Sequence, residues 1–129
     1  MQKSLLMLFI VLSLLSVRAF SQKTSGKEVT IVGEVIDTQC YLTNAVGSGN
    51  GKEHKECAIG CATGGIPLSI LQDQTGTIFL AGQTKKAMAG ANQLLMDFIA
   101  ERVKVSGRLL EKGGMKFILI SKVERVTPQ

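Results

Sequence analysis

Two stretches of this chain are built to one plan. Val29, Ile31, Gly33 and Val35 alternate with Thr30, Val32, Glu34 and Ile36, and far downstream Val103-Lys104-Val105-Ser106-Gly107-Arg108-Leu109-Leu110 repeats the pattern with its own central glycine. Period-two alternation rich in β-branched residues specifies a strand. A glycine in mid-strand marks a bulge or sharp coil. Two strands that each bend once do not lie in a flat sheet, so both are expected to wrap around a barrel.

The elements between and after them complete that expectation. Pro67 to Leu71 and Thr77 to Ala81 flank Gln72-Asp73-Gln74-Thr75-Gly76, whose Asp and Gly suit a tight turn, and together they read as a hairpin. From Thr84 to Arg102, Ala87, Ala91, Leu94, Leu95, Phe98 and Ile99 recur at helical spacing with Lys85, Lys86, Asp97 and Glu101 off the stripe. That is a core-packing helix, although Gly90 and Asn92 weaken its first half and place its firm part from about Ala91. Met115, Phe117, Leu119, Ser121 and Val123 alternate after a Lys112-Gly113-Gly114 turn, so the last strand pairs with the one before it. Five strands with one core helix between the third and fourth, and a short helix inserted after the first, is the order of a mainly β, OB-fold-like barrel. An open α+β sheet with the helix on one face is the alternative.

The ends of the chain bear on where it works. Lys3 followed by the apolar run Leu5 to Val17, with Ala19-Phe20-Ser21 offering small residues to a signal peptidase, marks 1–21 as a secretory signal cleaved after Ser21. The run is short for a spanning helix, which needs about 20 apolar residues, so an uncleaved anchor is the lesser reading. No cysteine near the cut supports a lipoprotein. Residues 22–27 are a polar, flexible leader, and 28–129 form a single domain. Loss of Lys3 and Arg18 leaves an only modestly basic chain, so the basic balance of the whole sequence is not a nucleic-acid footprint. With no Trp among its residues the core must be aliphatic.

All three cysteines and the single histidine fall between Asp37 and Cys61. Within this insert, 37–65, the Gly47-Ser48-Gly49-Asn50-Gly51 run is a loop, Asn50 with Glu53 resembles a capping pair, and Gly64-Gly65 before Pro67 ends the helix expected over Lys52 to Thr63. On that helix His54, Cys57 and Cys61 share one stripe within roughly a 60° arc. Cys40, just past the first strand, can fold over the stripe. Three sulfurs and an imidazole make the Cys₃His set used in closed tetrahedral zinc sites. Zn(II) is the leading metal and Cu(I) the competitor, since thiolate with imidazole suits both. The H-x₂-C-x₃-C spacing lacks the C-x₂-C knuckle of zinc ribbons, and without C-x-x-C-H there is no haem attachment motif.

The competing account is a disulfide, because an exported domain meets an oxidising compartment. Cysteines four apart on a helix hold their Cβ atoms roughly 5–6 Å apart, against about 3.8 Å in a disulfide, so a bridge would join Cys40 to Cys57 or Cys61 and leave one thiol beside His54. A metal accounts for all four residues at once. Asp37 is a candidate to orient the His54 ring by a hydrogen bond, and Tyr41 a candidate to cover the site. Met88, Met96 and Met115 fit core packing better than ligation.

The runs G-E-V-I-D-T-Q-C-Y-L and G-K-E-H-K-E-C-A-I-G-C-A-T-G-G-I-P resemble a family of small exported bacterial proteins with a G-x-(I/V)-x-D-x-x-C element, then H-x-x-C-A-x-x-C and a G-G-I-P turn. Gly33, Asp37, Cys40, His54, Cys57, Ala58, Cys61, Gly64, Gly65, Ile66 and Pro67 carry the resemblance, over roughly residues 31 to 68. It implies an exported OB-like domain and brings no activity with it. Three function classes follow: a non-enzymatic metal-binding module, a thiol or disulfide protein using His54 as base, and, by fold analogy alone, an OB-type module for oligosaccharide or peptide. Binding of a metal is the best supported, with no membrane span after cleavage and no protein partner that the sequence identifies.

Overall fold

β1 (Lys27–Asp37) pairs on both sides, and the barrel is organised by where it changes partner. Its first part, Lys27 to Glu34, runs antiparallel to β4 (Arg102–Lys112), and its last part, Gly33 to Asp37, runs antiparallel to β2 (Leu68–Gln72). The overlap falls on Gly33 and Glu34. A Cβ at Gly33 would lie 2.2 Å from the Leu71 carbonyl oxygen, so the strand can coil there only without a side chain. Gly107 serves β4 in the same way: a Cβ there would lie 2.2 Å from the Leu119 oxygen, and the register with β5 (Met115–Arg125) shifts between Ser106 and Gly107. Both central glycines expected to bend their strands do so.

This computed structural model describes residues 26–84 and 90–127, so the signal sequence expected over 1–21 and most of the expected leader lie outside the described residues. β2 and β3 (Ile78–Gln83) form the expected hairpin, β3 runs parallel to β5, and β5 returns antiparallel to β4. The result is a closed barrel in the order β1-β2-β3-β5-β4, the OB-fold order, with the open-sheet alternative excluded. Closure gives each strand a hydrogen-bonded neighbour on both sides. Val35, Leu68, Ile70, Val103, Val105 and Ile118 are fully buried inside it, an aliphatic core as a chain without Trp requires.

Two expectations need correction. Among the described residues the helix before β4 is only α3 (Asn92–Leu95), extended by a 3-10 turn (Met96–Phe98), and not a helix from Thr84 to Arg102. Thr84 instead caps β3, its amide and hydroxyl both donating to the Ile120 carbonyl, and Gly90 makes a bridge to Gly82. Ile99 has already turned extended, with ψ 131, to bridge Val35. The apolar stripe was still the right one, since Ala91, Leu95 and Ile99 are all buried as the plug at the end of the barrel. Ala87 and Met88 lie outside the described residues, and Met96 packs against the core.

The second correction concerns β5. Ile118 and Ile120 face the core, whereas Phe117 and Leu119 are half-buried and Met115 is 58% exposed, so Met115 is not a core residue. Side chains alternate with period two, so the phase of Met115, Phe117 and Leu119 lies off the core before the register shift, and Val123 of the same phase packs against it after the shift. Phe117 finds its cover across the strand pair, where a Cβ at Gly82 would collide with its ring. No helix among the described residues is long and apolar enough to cross a membrane.

Candidate metal centre

The chain leaves β1 through Asp37 and enters a helix that the sequence reading did not foresee, α1 (Thr38–Thr43). Asp37 is its N-cap: Oδ1 accepts from the amides of Gln39 at 2.9 Å and Cys40 at 3.2 Å. Such a cap satisfies orphan first-turn amides and fixes where the third residue of the helix stands. D-T-Q-C is thus an N-cap signature that puts the Cys40 sulfur beside its own capping carboxylate. Thr38 holds the start of α1 to β2, its hydroxyl donating to the Pro67 carbonyl at 2.6 Å and lying 2.7 Å from the Ser69 hydroxyl.

A loop then returns to the same point. Gly49 sits with φ +70 where a Cβ would lie 2.5 Å from Tyr41 Cα and 2.6 Å from the Cys40 carbonyl oxygen, so the loop lies directly on α1. Glu34 Oε1 accepts from the Gly51 amide, which delivers the chain to a 3-10 turn (Lys52–His54) and α2 (Lys55–Thr63). The expected helix over Lys52 to Thr63 is present in these two pieces. Its cap is Gly51 rather than Asn50, and no side chain caps it. The other end closes as expected. Ile66 N donates to Cys61 O at 3.0 Å and Gly65 N to Ala62 O at 3.1 Å, with Gly65 at φ +98, a Schellman motif.

α2 packs Ala58 and Ala62 into the core. The adjacent row, Cys57 and Cys61, is therefore turned to the rim of the barrel, half-buried and facing α1. Cys40, His54 and Cys57 bring their ligand atoms within 4.8 Å of one another, and so do Asp37, Cys40 and Cys61. Cys40 belongs to both sets, and no single set joins all four of the cysteines and histidine expected to share one point. Cys40 Sγ and Cys61 Sγ are 3.9 Å apart and all three cysteines are free thiols.

Two polar atoms at this place have no hydrogen-bond partner. They are His54 Nε2 and Asp37 Oδ2, in residues 5% and 0% exposed. A buried polar group normally finds a partner, and leaving one unmatched costs roughly 1–3 kcal/mol. The hydrogen bond expected from Asp37 to His54 is not formed, because one carboxylate oxygen is committed to the α1 cap and the carboxylate faces Cys40 and Cys61. Tyr41 is half-buried on α1, and among the described residues its ring makes no hydrogen bond to the site.

No family model, curated protein or solved structure matches this chain. The chemistry of the site must therefore be argued from its own groups. Burial alone would raise the Asp37 carboxyl, but the Cys40 and Cys61 thiols and the Cys40 and Gln39 amides outweigh it and hold it below its ordinary value. The same contact acts on the sulfurs. Asp37, then burial, then Cys61 push the Cys40 thiol up to about 12, and Asp37 followed by burial raises Cys61. A thiol shifted in this direction is a weaker nucleophile, which speaks against Cys40 or Cys61 as an activated nucleophile. A cation reverses this by displacing the thiol protons.

Beside His54 the surface dips into a cavity of about 210 Å³ lined by Val46, Gly47, Ser48, Asn50, Glu53 and His54, a route for an ion to reach the imidazole. Sequence reading missed Asn92. Its Nδ2 donates to the carbonyls of Ala62 at 3.1 Å and Ile66 at 2.7 Å, and its Oδ1 accepts from the Leu68 amide at 2.9 Å, clamping the end of α2 to β2. Only its poor fit to a helix interior marked it.

Proposed function

We propose that this chain is an exported protein whose barrel is a scaffold for a transition metal held by Cys40, His54 and Cys57, with Cys61 as the fourth ligand. The observation that carries the reading is the buried His54, whose Nε2 has no hydrogen-bond partner and whose ring offers a nitrogen within 4.8 Å of the Cys40 and Cys57 sulfurs. An imidazole nitrogen beside two sulfurs is what a thiolate-imidazole site requires. Zn(II) fits this donor set best and Cu(I) is the alternative, since both accept thiolate and imidazole. Export rests on the leader at 1–21, and the resemblance over residues 31 to 68 supports both export and the site. The role is binding rather than catalysis, because Cys40, His54 and Cys57 converge as a ligand set.

A second reading has its own observation: Cys40 and Cys61 are in sulfur contact and close to the pairing a disulfide would need. Metal content measured by inorganic mass spectrometry on protein purified without chelator, together with thiol titration before and after denaturation, separates the two. Stoichiometric zinc or copper with three titratable thiols supports the metal site. One titratable thiol and no metal overturns it in favour of a Cys40–Cys61 bridge.

A further inference from the structure

We infer that the site holds two divalent ions bridged by the Cys40 sulfur, one on His54 and Cys57 and the other on Asp37 and Cys61. This deepens the metal reading and rests on it, moving Cys61 from the first ion to a second. Its first support is the arrangement itself, two ligand sets with Cys40 common to both and no set joining the other four residues. Its second is that each set contains a residue with one of the two unpartnered buried atoms, His54 with its Nε2 in the first and Asp37 with its Oδ2 in the second. A single ion on the cysteines and histidine satisfies the nitrogen and leaves the carboxylate oxygen orphaned. Two ions satisfy both.

Distance and charge agree with this. Two thiolates on one tetrahedral zinc, each about 2.3 Å from the metal, lie about 3.8 Å apart. Cys40 Sγ and Cys61 Sγ are at 3.9 Å, and the Asp37 carboxylate is the third member of that set. Three thiolates and one carboxylate carry four negative charges, with the imidazole neutral. One divalent ion leaves the buried cluster doubly negative, a costly state in a poorly solvated place. A second ion neutralises it. Each ion then has three protein ligands and a fourth position for water or a small ligand, and the cavity bordered by His54 gives access to the first set.

The test is an ion count on the full chain, reduced, loaded with excess Zn²⁺ and washed, by native mass spectrometry. Two ions per chain are expected for the wild type. Asp37→Asn keeps the oxygen that caps α1 but loses the charged ligand, so it is expected to bind one ion with an unchanged circular dichroism spectrum. His54→Ala is likewise expected to bind one. A wild type with one ion overturns this inference and leaves the single Cys₃His site standing, and a wild type with none overturns both. Two ions retained by both variants also overturns it. Cobalt(II) tests the bridge directly: the paramagnetic resonance signal per cobalt is expected to fall between one and two equivalents as the spins couple through sulfur, and a signal that grows in proportion to cobalt refutes the shared Cys40.

Discussion

Replacing Asn92 with alanine tests whether the metal-bearing helix is tied to the barrel as described. The side chain makes three hydrogen bonds, to Leu68 N, Ala62 O and Ile66 O. Leu68 is fully buried, so its amide gains no water in exchange, and an unmatched buried donor costs about 1–3 kcal/mol. The two carbonyls each lose an ordinary neutral hydrogen bond and add about 0.5–1 kcal/mol each. The variant is expected to lose about 2–5 kcal/mol in urea unfolding followed by circular dichroism, which for a domain this size lowers Tm by about 10–25 °C. Alkylation of Cys61, one residue before Ala62, should speed up in the same variant. A stability change below about 0.5 kcal/mol would refute the clamp, since it would mean that water or backbone movement replaces all three bonds.

Glycines give predictions of opposite sign. Gly107→Ala is expected to cost about 1–3 kcal/mol because its Cβ meets a neighbouring backbone oxygen, whereas Gly60→Ala, in the middle of α2 with nothing within 4 Å, should gain up to about 1 kcal/mol; equal effects in thermal melts would contradict the packing described. Glu101 lies between Arg125 and Lys55, and Arg125 first, aided by Lys55 and against the effect of burial, holds its carboxyl below the ordinary 4.5. A depressed carboxyl pKa contributes stability above the unfolded value that is lost as pH falls through the folded one, so wild type should lose more stability than Glu101→Gln on going below pH about 4.5. Identical acid unfolding profiles would show the ion pairs to be without effect. Chelation should lower the Tm of the metal-loaded wild type, and Cys40→Ser or His54→Ala should lower it without chelator, because binding energy at such a site is folding energy. A Tm unmoved in both variants would count against a metal clip.

What was legible in the sequence and what was not divide along physical lines. Gly33 and Gly107 announced the barrel because a glycine among β-branched residues has few uses besides a tight backbone crossing. The Gly64-Gly65 stop was equally readable, since a left-handed residue after a helix is a local requirement. The helix before β4 was overdrawn because Ala91, Leu95 and Ile99 keep helical spacing while the backbone itself has turned extended by Ile99, and periodicity reports the buried face rather than the hydrogen bonds. β5 offered two apolar phases, Phe117 with Leu119 and Ile118 with Ile120, and only the barrel decides which points inward. At the site, residue types alone identified the cysteines and histidine. Residue types alone pair Asp37 with His54, whereas its neighbours, Cys40 and Cys61, depend on α1, a helix too short to leave a periodic trace.

The central claim is that sulfur and imidazole from α1 and α2 surround a common ion. X-ray absorption at the metal edge of the zinc-loaded protein measures that surrounding directly. The account predicts a sulfur shell at about 2.3 Å together with a nitrogen or oxygen shell at about 2.0–2.1 Å, the lighter shell losing its imidazole scattering in His54→Ala. A spectrum of nitrogen and oxygen neighbours alone, with no sulfur, would contradict it.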